Sequence, residues 1–380
     1  MQTRAQIYNW LRRHFGLHLI LGETKPMLKE HALLPLFQKF IASCHNGKRL
    51  NKNGNRIKLQ SIVNYEYCYK LLESFSSDKK TYLILYEISG NNKREHNRLK
   101  RYWKDFYKTF TKYLYQERGC YDNYVGQTIK LIRTFFNWCN MDAGIFIGLY
   151  YKQFYVQKEE IDIITLSTHQ LRFLLFDRNF EDMLSIPLQR SKDIFVIGCL
   201  VGLRYSDLSR IKSENIEQRE GNCYLKMRSK KTNTDTIVKL PVPVLKILAK
   251  YTQSKKVLLP TVSLFRFNTN IKKIAEMAGW THLIPSYRSK KGMQNYKNGK
   301  NVVEKRFCDS LSSHTMRRTS ITTMLTSGMP EYIVRKISGH TSDSKAFYRY
   351  VHLAQSLMDK EIDKMHQIFQ QETYENNINK

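Results

Sequence analysis

Arginines, histidines, a lysine pair and a tyrosine pair recur in order through the second half of this chain, and together they have the makings of phosphodiester chemistry. The phrase HTMR sets His314 and Arg317 at i and i+3, on one face of a helix. GLRYSD places Arg204 just past an apolar run, with Asp207 three residues on to orient it or its loop. SKKT puts Lys230 and Lys231 at the tip of a hairpin. The stretch ISGHTSDSKAFYRYVHL ends a helix at His340 and then offers Tyr348 and Tyr350, eight and ten residues later. Arginine's planar fork matches two phosphate oxygens and stays charged. A lysine at a hairpin tip can donate a proton to a leaving oxygen, and a side-chain hydroxyl can attack phosphorus. Each feature alone is an ordinary solvated or packing residue. Their order in a very basic chain makes them a set.

Other chemistries find little support. There is no GxxxxGK[ST] phosphate loop, no GxGxxG, no HExxH and no GxSxG elbow. Asp207 and Glu214 lack the third spaced acid that a two-metal nuclease needs. The seven cysteines are scattered and form no CxxC pair, so neither a zinc site nor a disulfide framework is expected. Reduced thiols of a cytosolic protein fit best. A chain with this inventory would cut nucleic acid without metal or cofactor, using cations on the phosphate, a general acid and a side-chain nucleophile.

Charge points to the substrate. Lys and Arg total 63 against 33 acids, a net +30 spread along 380 residues, which favours a polyanionic partner. The N-terminal stretch lacks a cleavage site, and no apolar run reaches the length of a membrane span, so neither a leader nor a membrane role is expected.

These residues need elements to position them. Residues 1–29 read as a short basic segment. Helical periodicity at 33–44, 59–75, 96–119 and 123–142 predicts an all-helical domain over 30–155, with Lys and Arg beside Tyr and Trp suited to a DNA-facing surface. A change of composition marks a linker at 156–166, before a capped helix start at Ser167 or Thr168. Over 167–352, a buried helix ends near Gly202 and another starts around Ser206. Period-two alternation on both sides of SKKTNTD predicts a hairpin across 222–242. Further helices follow, with 284–308 loop-like and strongly basic. Gly328 stops the helix from 313, and PEYIVRKIS runs from Pro330 to Gly339. SDSKAF starts a short helix, and 353–370 is a last amphipathic helix before a frayed tail to 380. The fold class is mainly α with a small β-hairpin or sheet.

The ordered set Arg204, Lys231, His314-x-x-Arg317, His340 and Tyr350 resembles that of the tyrosine recombinases, the phage-integrase family. VGLRYSDL, SKKTNTDTIVKLP, LSSHTMRRTSITTML and VRKISGHTSDSKAFYRYV carry the likeness over roughly 165–360, and it extends more loosely to 30–155. The resemblance implies a helical, SAM-like core-binding domain followed by a mixed α+β catalytic domain. It implies that Arg204 and Arg317 hold the scissile phosphate, that His314 and His340 assist, that Lys231 protonates the 5′ oxygen, and that a tyrosine forms a 3′-phosphotyrosyl bond. It also implies partners: double-stranded DNA with inverted-repeat core sites, further protomers in a tetramer on that DNA, and DNA-bending accessory proteins of a host or mobile element. The setting would be the bacterial cytoplasm and nucleoid. The amphipathic 353–370 segment would dock one protomer on the next.

The tyrosine spacing departs from the pattern. The commonest family spacing is about nine residues after the histidine, whereas Tyr348 and Tyr350 stand at eight and ten. Tyr350 is favoured, because TSDS has room for one extra residue and FYRYV matches the family's ending. Tyr348 is the second choice, and His352 is surface or packing. Lys231 is preferred to Lys230 because it precedes Thr232 as in the family's K-T phrase. The alternatives are an inactive DNA-binding protein of the same fold and a type IB topoisomerase-like relaxing enzyme.

Overall fold

The first helices form where apolar residues recur at helical spacing and the breaks are polar. In the computed structural model, residues 29–88, 93–230, 234–251, 257–286, 288–294, 303–341 and 344–378 are described. They divide into two units, within Met1–Glu160 with Arg288–Asn295 and within Ile161–Tyr287 with Tyr296–Lys380.

In the first unit, β1 (Lys29–Ala32) leads into α1 (Leu33–His45), α2 (Leu59–Asp78), β2 (Ile84–Glu87), α3 (Lys93–Gln116) and α4 (Asp122–Met141). β1 and β2 pair antiparallel, Lys29 opposite Glu87 and Ala32 opposite Ile84, a pairing the helical reading did not anticipate. The core is aromatic: the Phe37 and Phe135 rings lie 4.4 Å apart, and Trp103 lies 4.9 Å from Phe136. Trp103 is 2% exposed and also meets Phe106 and Phe154. Trp103→Ala is expected to lower unfolding free energy by about 3–5 kcal/mol, read from urea denaturation.

The second unit supplies the scaffold of the candidate site. It begins with α5 (Thr168–Phe176), α6 (Arg178–Met183), α7 (Ile186–Val201) and α8 (Tyr205–Leu208). Ser167 caps α5 in a capping box with Gln170, one of the two starts expected there. α7 is buried from Ser191 to Cys199, Lys192 and Asp193 included, and ends at Gly202 in the left-handed region. β3 (Ile216–Arg219), β4 (Asn222–Arg228) and β5 (Asp235–Lys239) form an antiparallel sheet in that order, with Leu225 opposite Val238. The expected hairpin is β4–β5, and β3 adds a third strand to it. After α9 (Val242–Ala249) and α10 (Leu264–Met277) come β6 (Leu283–Ser286), β7 (Ser289–Lys290), β8 (Met293–Gln294), β9 (Val303–Arg306), α11 (Phe307–Ser310), α12 (Ser313–Thr326), α13 (Glu331–Ser338) and α14 (Lys345–Ile378). α7 and α12 pack so closely that a Cβ on Gly198 would lie 2.3 Å from Met316 Sδ.

Two stretches differ from expectation. The loop-like 284–308 segment contains two antiparallel pairs, β6–β9 and β7–β8. Arg288–Asn295 groups with the first unit rather than with the chain on either side. Its tip amides, Lys291 and Gly292, donate at 2.7 and 2.8 Å to the buried Asp122 carboxylate at the start of α4, which Tyr115 Oη also reaches. The second difference is α14. The short tyrosine helix and the amphipathic 353–370 segment are one continuous helix, because no Gly or Pro interrupts the sequence from Lys345 to Ile378. Among the described residues, no helix is long and apolar enough to cross a membrane.

Candidate active site

Arg317 sits on the second turn of α12 and is 5% exposed, while His314, one turn earlier on the same helix, is exposed. The Arg317 Nη1 donates to the carbonyl of Gly202 at 3.0 Å, joining α12 to the end of α7. Nη2 lies 3.1 Å from both ring nitrogens of His340. His340 follows the end of α13, where Gly339 takes φ +60. A Cβ there would stand 3.1 Å from both Thr234 Oγ1 and Thr236 Cγ2, so glycine lets the end of α13 close onto β5. The Ser338 hydroxyl donates to the Val334 carbonyl at 2.5 Å, so the His340 Nδ1–H donates to Ser338 Oγ at 2.8 Å. That network leaves Nε2 as the acceptor for Arg317, which requires a neutral imidazole.

Arg204 lies at the start of α8 and donates from Nη1 to Ser229 Oγ at 3.1 Å, tying it to the base of the β4–β5 turn. Ser229 N in turn reaches the Thr234 carbonyl at 2.9 Å. Asp207 is 1% exposed. Its Oδ1 accepts from Arg210 Nη2 at 2.9 Å and from the Lys230 backbone N–H at 3.1 Å. Its direct hydrogen bonds go to Arg210 and the hairpin, not to Arg204 or the loop that carries it. The Lys230 side chain is exposed, and Lys231 lies outside the described residues.

The two tyrosines stand on different sides of α14, as a two-residue separation of about 200° requires. Phe347 is fully buried with Ile321 and Val334, and Tyr350 and Val351 pack on that cluster. The Tyr350 ring lies 6.1 Å from the His340 ring and 6.0 Å from Phe347. Tyr348 is 53% exposed, and its ring lies 5.1 Å from the Arg335 guanidinium. The structure therefore brings Arg204, Arg317, His340 and Tyr350 to one region, with Tyr348 turned elsewhere.

Electrostatics make this region short of negative charge. Burial, and next the charge of Arg204, push the Arg317 guanidinium down to about 9. Burial also lowers Arg204, opposed by Asp207 and by charge coupling to Tyr350. The same coupling to Tyr350 favours the charged form of Arg317. His340 is pushed down to about 3 by burial first, then by Arg317, Arg204 and Arg335. An anion placed here would relieve all three groups. The His340 shift carries a sign. The unfolded chain takes up this proton near pH 6.5 and the folded chain only near 3, so stability is full above about 6.5 and is lost as pH falls toward 3. Melts at about pH 7.5 and about pH 5 are expected to show a larger loss for the unchanged protein than for His340→Gln, below the full linkage of about 1.4 kcal/mol per pH unit because the ring is only half-buried.

Sequence reasoning missed Ser229, Ser338 and the Gly202 carbonyl, which hold Arg204, His340 and Arg317. Only Ser338 carried a signal, standing two residues before His340 at a helix end. Among the described residues, no three His, Cys, Asp or Glu side chains gather as a metal site would need.

Comparison with known proteins adds a family-model match over part of the chain and a fold. Residues 178–356 match the model of the phage integrase family. No curated protein matched the chain. Solved structures did. XerH site-specific recombinase, bound to palindromic difH substrate in a post-cleavage complex, is 11% identical, with 87% of this chain and 94% of that one covered and a TM-score of 0.57. The Tn1549 transposon integrase in complex with transposon right end DNA is 12% identical over 87% of this chain and 99% of that one, TM-score 0.54. A lambda integrase tetramer bound to a Holliday junction is 13% identical over 90% and 89%, TM-score 0.54. At these identities the likeness is one of fold, mainly helical with small sheets.

Proposed function

From a chain that carries a phage integrase family domain over residues 178–356, we propose a site-specific tyrosine recombinase that cleaves and rejoins DNA through a 3′-phosphotyrosyl intermediate. The observation that carries this reading is the Tyr350 ring beside the His340–Arg317 contact, with Arg204 held close by at the base of the β4–β5 turn.

Arg204 and Arg317 bind the non-bridging oxygens of the scissile phosphate and stabilise the charge that grows on them during attack. His314 hydrogen-bonds the same phosphate, and His340 does so from Nε2 once the phosphate's charge lets its ring take up a proton, so that both assist proton transfer. The Tyr350 oxygen attacks phosphorus and loses its proton. The bond from phosphorus to the 5′ oxygen breaks, and Lys231 protonates that oxygen, leaving a free 5′ hydroxyl. A 5′ hydroxyl of another strand then attacks the phosphotyrosine and restores the tyrosine. One phosphodiester is exchanged for another of equal bond type, so neither ATP nor a metal is consumed. Asp207 and the Lys230 backbone fix the hairpin on which Lys231 stands.

The substrate is double-stranded DNA with inverted-repeat core sites, bound by several protomers that complete a tetramer. The chain serves integration, excision or inversion for a bacterial mobile element in the nucleoid, with DNA-bending accessory proteins as further partners. The net charge of +30 supports the DNA partner, and the neighbouring structures with DNA and a tetramer support the assembly. Residues 353–370 of α14 dock one protomer on the next, so a chain ending at about 355 is expected to bind DNA but to weaken synaptic complexes in native gels.

The deciding experiment is a suicide assay on a nicked duplex carrying the element's terminal repeat. A protein–DNA adduct that resists denaturant and leaves a free 5′ hydroxyl supports the reading. No adduct leaves only DNA binding. Relaxation of plasmid without preference for a site turns the enzyme into a relaxing topoisomerase.

A further inference from the structure

Arg335 lies on the last turn of α13 and is 9% exposed, although nothing in the proposed chemistry uses it. Its Nε donates to Glu331 Oε1 at 2.8 Å, and Nη2 reaches the same oxygen. Nη1 points at the carbonyls of Thr341 and Ser344, at 3.3 and 3.5 Å. The flat guanidinium lies 4.1 Å from the centroid of Phe347 and 5.1 Å from that of Tyr348. Its own carbonyl accepts the His340 N–H at 2.9 Å. One side chain thus touches the segment that follows His340, the first turn of the tyrosine helix and the second tyrosine.

We propose that Arg335 is a positioning residue that sets the rotation of α14 and so aims the Tyr350 hydroxyl at the phosphate. The inference rests on the reading of Tyr350 as nucleophile. A helix turns about 100° per residue, so fixing the azimuth of Phe347 fixes that of Tyr350 one turn later. Stacking on Phe347 and Tyr348 from one planar group holds that azimuth from two adjacent positions, and a planar cation is suited to it. Glu331 holds the guanidinium by its edge, through Nε and Nη2. The ten-residue spacing from His340 to Tyr350 makes this clamp necessary, because the distance along the chain alone leaves the rotation of the helix open. Lysine supplies the charge without the plane, so it does not replace arginine here.

Single-turnover adduct formation on the nicked duplex, at saturating DNA, tests this. Arg335→Gln and Arg335→Lys are both expected to slow it about 10- to 100-fold, with the DNA dissociation constant within twofold of the unchanged protein, since a small misplacement of a reacting atom is costly. Glu331→Gln, at a partly exposed site, is expected to slow it about 3- to 10-fold, and the double variant to be no slower than Arg335→Gln, because the two residues act as one unit. Where Arg335→Gln melts below the assay temperature, Glu331→Gln decides. A lysine variant at the unchanged rate overturns the proposal, as does additive slowing in the double variant. An unchanged protein that forms no adduct at all strikes the recombinase reading instead.

Discussion

Tyr350→Phe is expected to bind the nicked duplex as the unchanged protein does and to form no covalent adduct. The substitution removes one oxygen and keeps the ring, so the contacts with His340 and Phe347 persist and the fold has no reason to change. DNA affinity rests on a +30 charge spread along the chain, and a neutral hydroxyl contributes little to it. Loss of the adduct with retained binding therefore isolates the chemical step. Denaturing gels on end-labelled duplex read the adduct, and mobility shifts read the binding. An adduct that survives in Tyr350→Phe and disappears in Tyr348→Phe would move the reaction to the tyrosine that lies against Arg335.

The second large effect is at Arg317. Arg317→Ala is expected to slow adduct formation about 10³-fold at saturating DNA, the scale of losing one pre-aimed donor to a developing oxyanion. It should also destabilise the fold by about 1–3 kcal/mol, because the buried Gly202 carbonyl loses its donor. Arg317→Lys keeps a charge but offers no second arm, so it should recover stability better than rate. Salt dependence of binding should change little, since one buried cation among many phosphate contacts sets only a small part of the slope. Single-turnover rates within threefold of the unchanged protein would remove Arg317 from the phosphate.

Much of this arrangement was legible in the residues. Gly202 and Gly339 stop α7 and α13 because a left-handed residue there is chemically marked. The alternation around SKKTNTD announced β4 and β5, and the order of Arg204, Arg317 and His340 announced a cationic cluster. Other features depend on partners far along the chain. β1 and β2 are short strands whose pairing spans the whole of α1 and α2, and KEHA has no alternation to betray it. The i, i+3 spacing of His314 and Arg317 predicts a shared face, yet only tertiary packing decides that Arg317 is buried and His314 is exposed. PEYIVRKIS reads as a helix without showing which of its residues are buried, and Arg335 is covered by Phe347, which belongs to the next helix. The continuity of α14 could have been read, since nothing in its sequence breaks a helix. The amphipathic pattern of its second part suggested a separate element instead.

The β7–β8 hairpin bears on how this protein can be taken apart. A fragment ending at Glu160 keeps the buried Asp122 but leaves behind the two amides that its carboxylate receives from Lys291 and Gly292. It also loses the Ser289 amide and the Arg288 charge that meet Glu159. Asp122 would then keep only the Tyr115 hydroxyl, and Glu159 would lose both of these partners. The linear order of the chain and its modular order are therefore not the same. A helical half expressed alone is expected to be intact only when residues 288–294 are supplied with it, as a grafted loop or an added peptide.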